Sequence, residues 1–130
     1  QIWKQAGWKA ASMGTLGTTF PDNSIMSTKQ KSSNNLTTFD PSDLYNELNI
    51  ITSQEISHVA IEASSHGIDQ CRLDGVNFSG AVFTNLSQDH FDYHKTIENY
   101  FSVKKRLFTK IIKNNSAVAI NIDDDHGELL

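Results

Sequence analysis

The stretch HVAIEASS, residues 58–65, is a short apolar run that ends in a carboxylate and two hydroxyls. Two more apolar runs follow along the chain, GAVFTNL at 80–86 and AVAINI at 117–122. Continuous apolar runs of this length are typical of strands that are buried on both faces, as in a parallel sheet. HVAIEASS therefore predicts a buried strand with polar residues at its carboxyl end.

Helical patterns lie between these runs. FDPSDLYNELNIITSQ, residues 39–54, opens with an Asp-Pro-Ser start signal and then places its apolar residues at helical spacing. Large apolar side chains also recur at steps of three and four from Ile97 to Ile112, which predicts a long helix over about 96–113. Strands that alternate with helices indicate an α/β fold with a mostly parallel sheet and flanking helices.

The remaining segments are shorter. QIWKQAGW at the start is typical of the last turns of a helix that ends near Gly7. KAASMGT, residues 9–15, predicts a short buried strand that leads into a Gly-rich turn. Residues 18–35 are rich in Ser, Thr, Asn, Lys and Gln, which predicts a hairpin or a mobile loop.

The bulk properties fit one soluble globular domain of 130 residues, with 38% hydrophobic and 20% charged residues. A net charge of −4 without a basic cluster argues against nucleic acid as a partner. No apolar run reaches membrane-spanning length and no signal peptide is visible, so no membrane partner is expected. The single cysteine, Cys71, excludes an internal disulfide and fits a reducing compartment, which makes the cytoplasm the expected location.

Polar residues follow each predicted strand, where ligands of parallel sheets bind. Glu62 follows the first run, Asp89-His90 comes after the second, and Asn121 with the acidic residues 123–125 follows the third. Carboxylates, an imidazole and hydroxyls suit a hard divalent ion and phosphate.

Lys104 occupies a position of the apolar stripe of the 96–113 helix where a core residue belongs. A desolvated lysine becomes a neutral amine or needs a nearby anion. The alternative is a lysine at the edge of the stripe whose head group extends past its neighbours into water.

Six blocks of the sequence occur in an order and spacing that resemble the central ATPase domain of the Mur ligases. The densest are EASSHGIDQCR, VFTNLSQDHFDYH and NYFSVKKRLF, and the others are GTLG at 14–17, LTT at 36–38 and NIDDDHG at 121–127. The resemblance implies a P-loop NTPase-like, Rossmann-like central domain of a peptidoglycan-precursor ligase. It is nearest to the ligases that add the third amino acid to UDP-MurNAc-L-Ala-D-Glu. In that reaction ATP, with Mg²⁺, activates the glutamate carboxylate as an acyl phosphate, which the incoming amine attacks.

No phosphate-loop pattern G-x-x-x-x-G-K-[ST] occurs among the seven glycines. Residues 1–130 are therefore expected to be a fragment of the central ATP-binding domain, without the phosphate loop and without the C-terminal domain that selects the amino acid. We expect this fragment to be inactive by itself. The amino acid added, meso-diaminopimelate, lysine or another, is not readable from these residues.

The resemblance also implies roles for single residues. It makes Lys104 the lysine that carries a carbamate facing magnesium, and it makes Glu62 and His90 metal ligands. The substrate-binding positions that it implies are Thr37, Thr38, Ser64, Gln70 and Arg72.

Each assignment has a structural alternative. Glu62 could be a capping or salt-bridged carboxylate, and His90 a core histidine. The paired threonines could serve a helix cap or a turn, and Arg72 a surface ion pair. His66 and His94 are interpreted as framework donors and His58 as a strand-edge residue.

Other functions also stay open. The chain could come from another Mur ligase or from a folylpolyglutamate synthetase-like ligase, which share the metal-binding pattern. It could also be a non-catalytic nucleotide-binding or sugar-binding remnant.

Overall fold

The computed structural model describes residues 1–26, 36–87 and 89–130. The chain divides into two compact units, Gln1–Arg72 and Leu73–Leu130. The second half of the hairpin or loop predicted over 18–35 lies outside the described residues.

Among its described residues, the first unit contains a four-stranded mixed sheet and three helices. Its elements are α1 (Ile2–Gln5), β1 (Ala10–Gly14), β2 (Gly17–Thr19), β3 (Ile25–Met26), α2 (Pro41–Ser53), β4 (His58–Ile61) and α3 (Ser65–Asp69). The strand order is β3-β2-β1-β4. β1 runs parallel to β4, whereas β1–β2 and β2–β3 are antiparallel hairpin pairs. The parallel pairing brings the carboxyl ends of β1 and β4 to one edge of this sheet.

The second unit contains a two-stranded parallel sheet and helices. Its elements are β5 (Gly80–Phe83), α4 (Phe91–His94), α5 (Ile97–Arg106), a π-helix (Leu107–Ile111), β6 (Ala117–Ile120) and α6 (Asp125–Glu128). β5 and β6 pair in register from Gly80–Ala117 to Phe83–Ile120. The core of this unit is formed by Phe83, Leu86 and Tyr100, with partly buried apolar side chains from α5, the π-helix, β6 and Leu130 packed against it.

The α/β class, the parallel pairing and most of the predicted elements are confirmed. The three apolar runs contain β4, β5 and β6, and KAASMGT contains β1. α2 begins at Pro41 directly after Asp40, as the start signal predicts. Gly7 has φ +81, the left-handed conformation that commonly follows a helix end. Strands β2 and β3 confirm a hairpin up to Met26.

Two sequence predictions are wrong in detail. None of the three apolar runs forms a strand that is buried on both faces. In β4, Ala60 is exposed and the other residues are only half-buried, while in β5 and β6 Val82 is 67% exposed and Val118 is 49% exposed. In the described part of the chain β5 and β6 pair only with each other. The predicted helix over 96–113 also changes character at Leu107. From there it is a π-helix, closed by a bond of 3.0 Å from the Ile112 N–H to the Leu107 carbonyl.

Within the described ranges, every helix is too short or too polar to cross a lipid bilayer.

Candidate functional site

Thr38 is the centre of a hydrogen-bond network at the carboxyl end of β4. The side chain is buried, and Thr38 Oγ1 donates to the carbonyl of Glu62 at 2.9 Å. The same oxygen accepts the Ser64 N–H at 2.9 Å and lies 2.9 Å from Ser64 Oγ. Ser64 Oγ in turn accepts the Gly67 N–H at 3.1 Å, which caps α3. The loop around Thr38 is therefore bound to the segment that follows β4.

The hydroxyl of Thr38 has no remaining hydrogen-bonding capacity. A hydroxyl has one proton and two lone pairs. Its proton goes to the Glu62 carbonyl, so Ser64 Oγ must be the donor in the Ser64–Thr38 pair, and the Ser64 N–H occupies the second lone pair. Ser64 Oγ keeps one lone pair beyond the one that binds Gly67. Ser64 can therefore accept a further hydrogen bond, whereas the Thr38 side chain cannot make one.

Arg72 holds the other side of this loop. Its guanidinium is largely buried, and its Nη1 donates to the Thr38 carbonyl at 2.9 Å. Its Nη2 donates to Gln70 Oε1, and its Nε lies 3.5 Å from Asp40 Oδ1. Asp40 precedes α2 at the N-cap position, yet its side chain makes no capping bond. The geometry is that of an ion pair, which was one alternative for Arg72, with the Arg72 side chain largely buried and the Asp40 side chain half-exposed.

The contact with Arg72 also orients Gln70. Because Gln70 Oε1 accepts from the guanidinium, the amide nitrogen of this exposed side chain points away from it. A primary amide has two N–H donors on that nitrogen. Gln70 therefore presents donors that can bind carbonyl, sugar or phosphate oxygens.

Glu62 lies at the end of β4, and its carboxylate meets the turn between β1 and β2. The Thr15 N–H and the Thr15 hydroxyl both donate to Glu62 Oε2, each at 3.2 Å. The Thr15 hydroxyl also lies 3.0 Å from Thr37 Oγ1. A Cβ added at Gly14 would be 2.5 Å from the same Oε2. No described residue hydrogen bonds to the second oxygen, Oε1, and the side chain is exposed.

These observations test whether Glu62 fits a magnesium ion. Mg²⁺ commonly takes one or two carboxylate oxygens and completes its shell with water and substrate phosphates. Glu62 offers one such oxygen, Oε1, while Gly14 leaves room for the other oxygen, Oε2. Within 1–26, 36–87 and 89–130 no three acidic, His or Cys residues gather as a complete metal cage. The site therefore fits an ion that arrives with a phosphate ligand.

His90 and Lys104 belong to the second unit. His90 has φ +58, and its N–H binds Asp89 Oδ1 at 2.7 Å, while its Nε2 lies 3.6 Å from Asp89 Oδ2. The His90 ring meets the ring of Tyr100 edge to face at 6.0 Å between centroids. Burial, with a smaller contribution from Asp89, raises the pKa of the Tyr100 hydroxyl above its ordinary value.

Lys104 is half-buried on α5, and its Nζ lies 6.0 Å from the centroid of the Tyr100 ring. Tyr100 is itself buried in the core of this unit. The side chain is thus neither sealed in the core nor fully in water, which is intermediate between the two sequence-based readings. His90 and Lys104 both lie beside the Tyr100 ring.

Asn121 and Asp124 connect the loops that follow β5 and β6. Asn121 Nδ2 donates to the Thr84 carbonyl at 2.8 Å. Asp124 Oδ2 accepts the Leu86 N–H at 3.0 Å, and its Oδ1 accepts the His126 N–H at 3.0 Å. These bonds, led by the one from Leu86, hold the pKa of Asp124 below its ordinary value. Asp124 therefore caps α6 and joins it to the loop that follows β5.

The structure brings six of the eight predicted residues together in the first unit: Thr37, Thr38, Glu62, Ser64, Gln70 and Arg72. Sequence reasoning missed Thr15 and Asp40, which complete that network. Thr15 belongs to the GTLG block and Asp40 to a helix start signal. These local roles gave no sign of the contacts of Thr15 with Glu62 and of Asp40 with Arg72. His58, predicted at a strand edge, stacks on Trp8 at 4.4 Å and lies 5.1 Å from Trp3 between ring centroids.

Residues 1–130 match the Mur ligase middle domain. The chain belongs to the Mur ligase family. It is similar to the UDP-N-acetylmuramoyl-L-alanyl-D-glutamate–2,6-diaminopimelate ligases of Bradyrhizobium diazoefficiens, with 43% identity over 125 residues, and of Agrobacterium fabrum, with 45% identity over 124 residues. These alignments cover 96% and 95% of the chain, respectively, and 24% of each relative.

A solved structure of a UDP-N-acetylmuramoyl-L-alanyl-D-glutamate–2,6-diaminopimelate ligase has the same fold. It superposes with a TM-score of 0.76 at 35% identity, over 98% of this chain and 24% of that one. The chain thus spans about a quarter of the length of the relatives that it matches. The resemblance to the Mur ligases stated from the motifs is confirmed, and it extends over the whole chain.

Proposed function

We propose that this chain is the middle-domain part of an ATP-dependent ligase that joins 2,6-diaminopimelate to UDP-MurNAc-L-Ala-D-Glu in peptidoglycan precursor synthesis. The observation that carries the proposal is the network around Thr38. It joins a carboxylate with an available oxygen, Glu62, to an outward-facing amide, Gln70, and to the acceptor Ser64. The names of the relatives support the choice of amino acid.

The proposed chemistry needs positioning rather than a protein nucleophile. ATP transfers its γ-phosphoryl group to the D-glutamate carboxylate, which gives an acyl phosphate and ADP. The amine of the incoming amino acid attacks the acyl carbon, and inorganic phosphate leaves with the bonding electron pair while the amine loses its proton. Holding the two reactants in line lowers the entropic part of such a barrier. The intact protein would do this in the cytoplasm, where ATP and UDP-linked precursors occur.

The residues of the first unit have separate parts in this proposal. Gln70 donates to oxygens of the UDP-linked substrate, Ser64 accepts from one of its hydroxyls, and Thr37 borders the same space. Thr38 orients Ser64 through their hydroxyl contact, and Arg72 orients Gln70 and the Thr38 loop through its guanidinium. Glu62 would ligate magnesium, which, when bound, neutralises charge on the transferred phosphoryl group. In the second unit, His90 is proposed as a metal ligand and Lys104 as a carbamylated lysine that faces magnesium.

The test uses the product of the complete open reading frame that encodes this chain. It is incubated with UDP-MurNAc-L-Ala-D-Glu, ATP, Mg²⁺ and either meso-diaminopimelate or L-lysine, and the products are analysed by mass spectrometry. We expect an ATP-dependent mass gain of diaminopimelate minus water, together with ADP. A folded protein that forms no amide with either amino acid would overturn the proposal. A product with lysine alone would retain the ligase and change its amino acid.

A parallel variant tests the site rather than the enzyme. Gln70→Ala removes the outward amide and the acceptor of Arg72 Nη2, whereas the bonds of Thr38 to Arg72, Ser64 and Glu62 do not involve Gln70. We expect the KM for the UDP-linked substrate to rise about tenfold, because one hydrogen bond to a charged oxygen is lost, while the KM for ATP stays within about twofold. Equal increases in both constants would remove Gln70 from the substrate site.

A further inference from the structure

The turn between β1 and β2 holds the carboxylate of Glu62 from one side only. Two donors of Thr15, the backbone N–H and the hydroxyl, converge on Oε2 at 3.2 Å each. Gly14 lies against the same oxygen so closely that a Cβ there would be 2.5 Å away. No described residue donates to Oε1. The carboxylate is therefore fixed in rotation, with one oxygen occupied and the other presented outward.

We infer that Thr15 is a positioning residue for Glu62, which holds Oε1 towards a magnesium ion that is bound to the phosphates of ATP. The inference rests on the proposed function. Partners that orient a metal-binding side chain commonly change metal affinity when they are removed, although they never touch the ion. Neither Thr15 nor Gly14 was among the residues that the sequence predicted for this site.

The hydroxyls near Glu62 have a defined direction of donation. Thr15 has one hydroxyl proton, and this proton goes to Glu62 Oε2. In the Thr15–Thr37 pair at 3.0 Å, Thr37 is therefore the donor. Removing the Thr37 hydroxyl leaves both donors to Glu62 in place, whereas removing the Thr15 hydroxyl leaves only the backbone N–H. Thr15→Val and Thr37→Val are therefore a matched pair of variants, of which only the first removes a donor to Glu62.

The experiment compares Thr15→Val, Thr15→Ser and Thr37→Val in the product of the complete open reading frame. Two quantities are measured: the Mg²⁺ concentration that gives half-maximal ligase rate, and the affinity for Mn²⁺ by electron paramagnetic resonance in the presence of a non-hydrolysable ATP analogue. We expect Thr15→Val to weaken both by about tenfold. Thr15→Ser, which keeps the hydroxyl, and Thr37→Val should both stay within about twofold of the wild type in metal response.

Thr52→Val is the control for loss of a threonine hydroxyl outside the site. Thr52 lies on α2 and donates only to the Leu48 carbonyl of its own helix among the described residues. We expect it to leave the rate and the Mn²⁺ affinity unchanged. Thermal unfolding checks that each variant is folded.

Gly14→Ala provides an independent variant if Thr15→Val does not fold. It leaves Thr15 itself unchanged but places a methyl group 2.5 Å from Oε2. The carboxylate must then move away from the Thr15 donors, so we expect the Mn²⁺ affinity to fall by a similar factor. The inference is overturned if an active wild type is accompanied by a folded Thr15→Val or Gly14→Ala variant with unchanged Mn²⁺ affinity. A wild type that forms no amide with either amino acid overturns the proposed function instead, so the two failures are distinguishable.

Discussion

Replacing Thr38 by valine removes one hydroxyl and conserves the shape of the side chain. Thr38 is 1% exposed, so the new methyl group occupies the same packed space and leaves no cavity. What is lost is the set of three contacts of Oγ1: with the Glu62 carbonyl, the Ser64 N–H and the Ser64 hydroxyl. The variant therefore isolates the contribution of hydrogen bonding at this position.

The expected cost follows from the fate of the partners. A typical hydrogen bond contributes about 0.5–1.5 kcal/mol net, and a buried group left without a partner costs about 1–3 kcal/mol. The Ser64 hydroxyl can turn to water because the residue is only half-buried, but its N–H and the Glu62 carbonyl face the buried methyl group. We therefore expect Thr38→Val to lower the free energy of unfolding by about 2–4 kcal/mol.

The assay is urea unfolding of the 130-residue chain followed by tryptophan fluorescence. Both tryptophans of the chain, Trp3 and Trp8, lie in the unit that contains Thr38 and contact His58 in it. Thr37→Val is the matched control, because Thr37 is half-buried and its hydroxyl has a single described contact. It should cost about 0.5–1 kcal/mol. Equal, small effects of both substitutions would refute the assignment of Thr38 as the centre of the network.

Three further outcomes are expected. The lowered pKa of Asp124 means that its contribution to the stability of the second unit is present above about pH 4 and is lost as the pH falls through the lower folded pKa. Asp124→Asn weakens the bond to Leu86 and should therefore destabilise this unit at pH 7. Followed by circular dichroism, the variant should lose less stability than the wild type when the pH is lowered. Parallel stability profiles of the two proteins against pH would contradict this. Ser65 Oγ is buried without a hydrogen-bond partner in the described part of the chain. Ser65→Ala should therefore keep or raise the melting temperature measured by differential scanning calorimetry. A fall of several degrees would show that the hydroxyl has a stabilising role. Lys104→Ala in the complete protein should fold but lose nearly all turnover if the lysine carries a carbamate; added acetate or formate should restore part of the rate, whereas near-wild-type turnover without additive would defeat the assignment.

The sequence predicted the elements whose signals are local. α2 begins after Asp40 because a proline at the first helical position and apolar residues at helical spacing act within a few residues of one another. The parallel strands followed from apolar runs of the right length. The exposure of Val82 could not be predicted, because an apolar run has the same sequence pattern whether or not another element covers it. The π-helix after Arg106 was equally hidden, since LFTKI contains no Gly or Pro to mark a change.

The candidate site divides in the same way. The residue types and their positions after β4 pointed to the region, and the resemblance supplied individual residues. The contacts between Thr38 and Glu62 or between Thr15 and Glu62 join positions 24 and 47 residues apart. Such contacts depend on how β1, β4 and the loop before α2 pack together, which no local pattern encodes. Which partner each hydroxyl donates its proton to likewise follows only from the positions of all its neighbours.

The contact between Gly67 and Thr38 has an evolutionary consequence. A Cβ at position 67 would lie 2.5 Å from the Cβ of Thr38, so the two residues share a space that holds only one of those carbons. Every missense change of the Gly67 codon adds a Cβ, and relieving the overlap would require a simultaneous change of Thr38 that abandons its hydrogen bonds. A lineage cannot pass through either single mutant without loss. Alignments of functional relatives should therefore show the two positions unchanged together, or exchanged together, and rarely one alone.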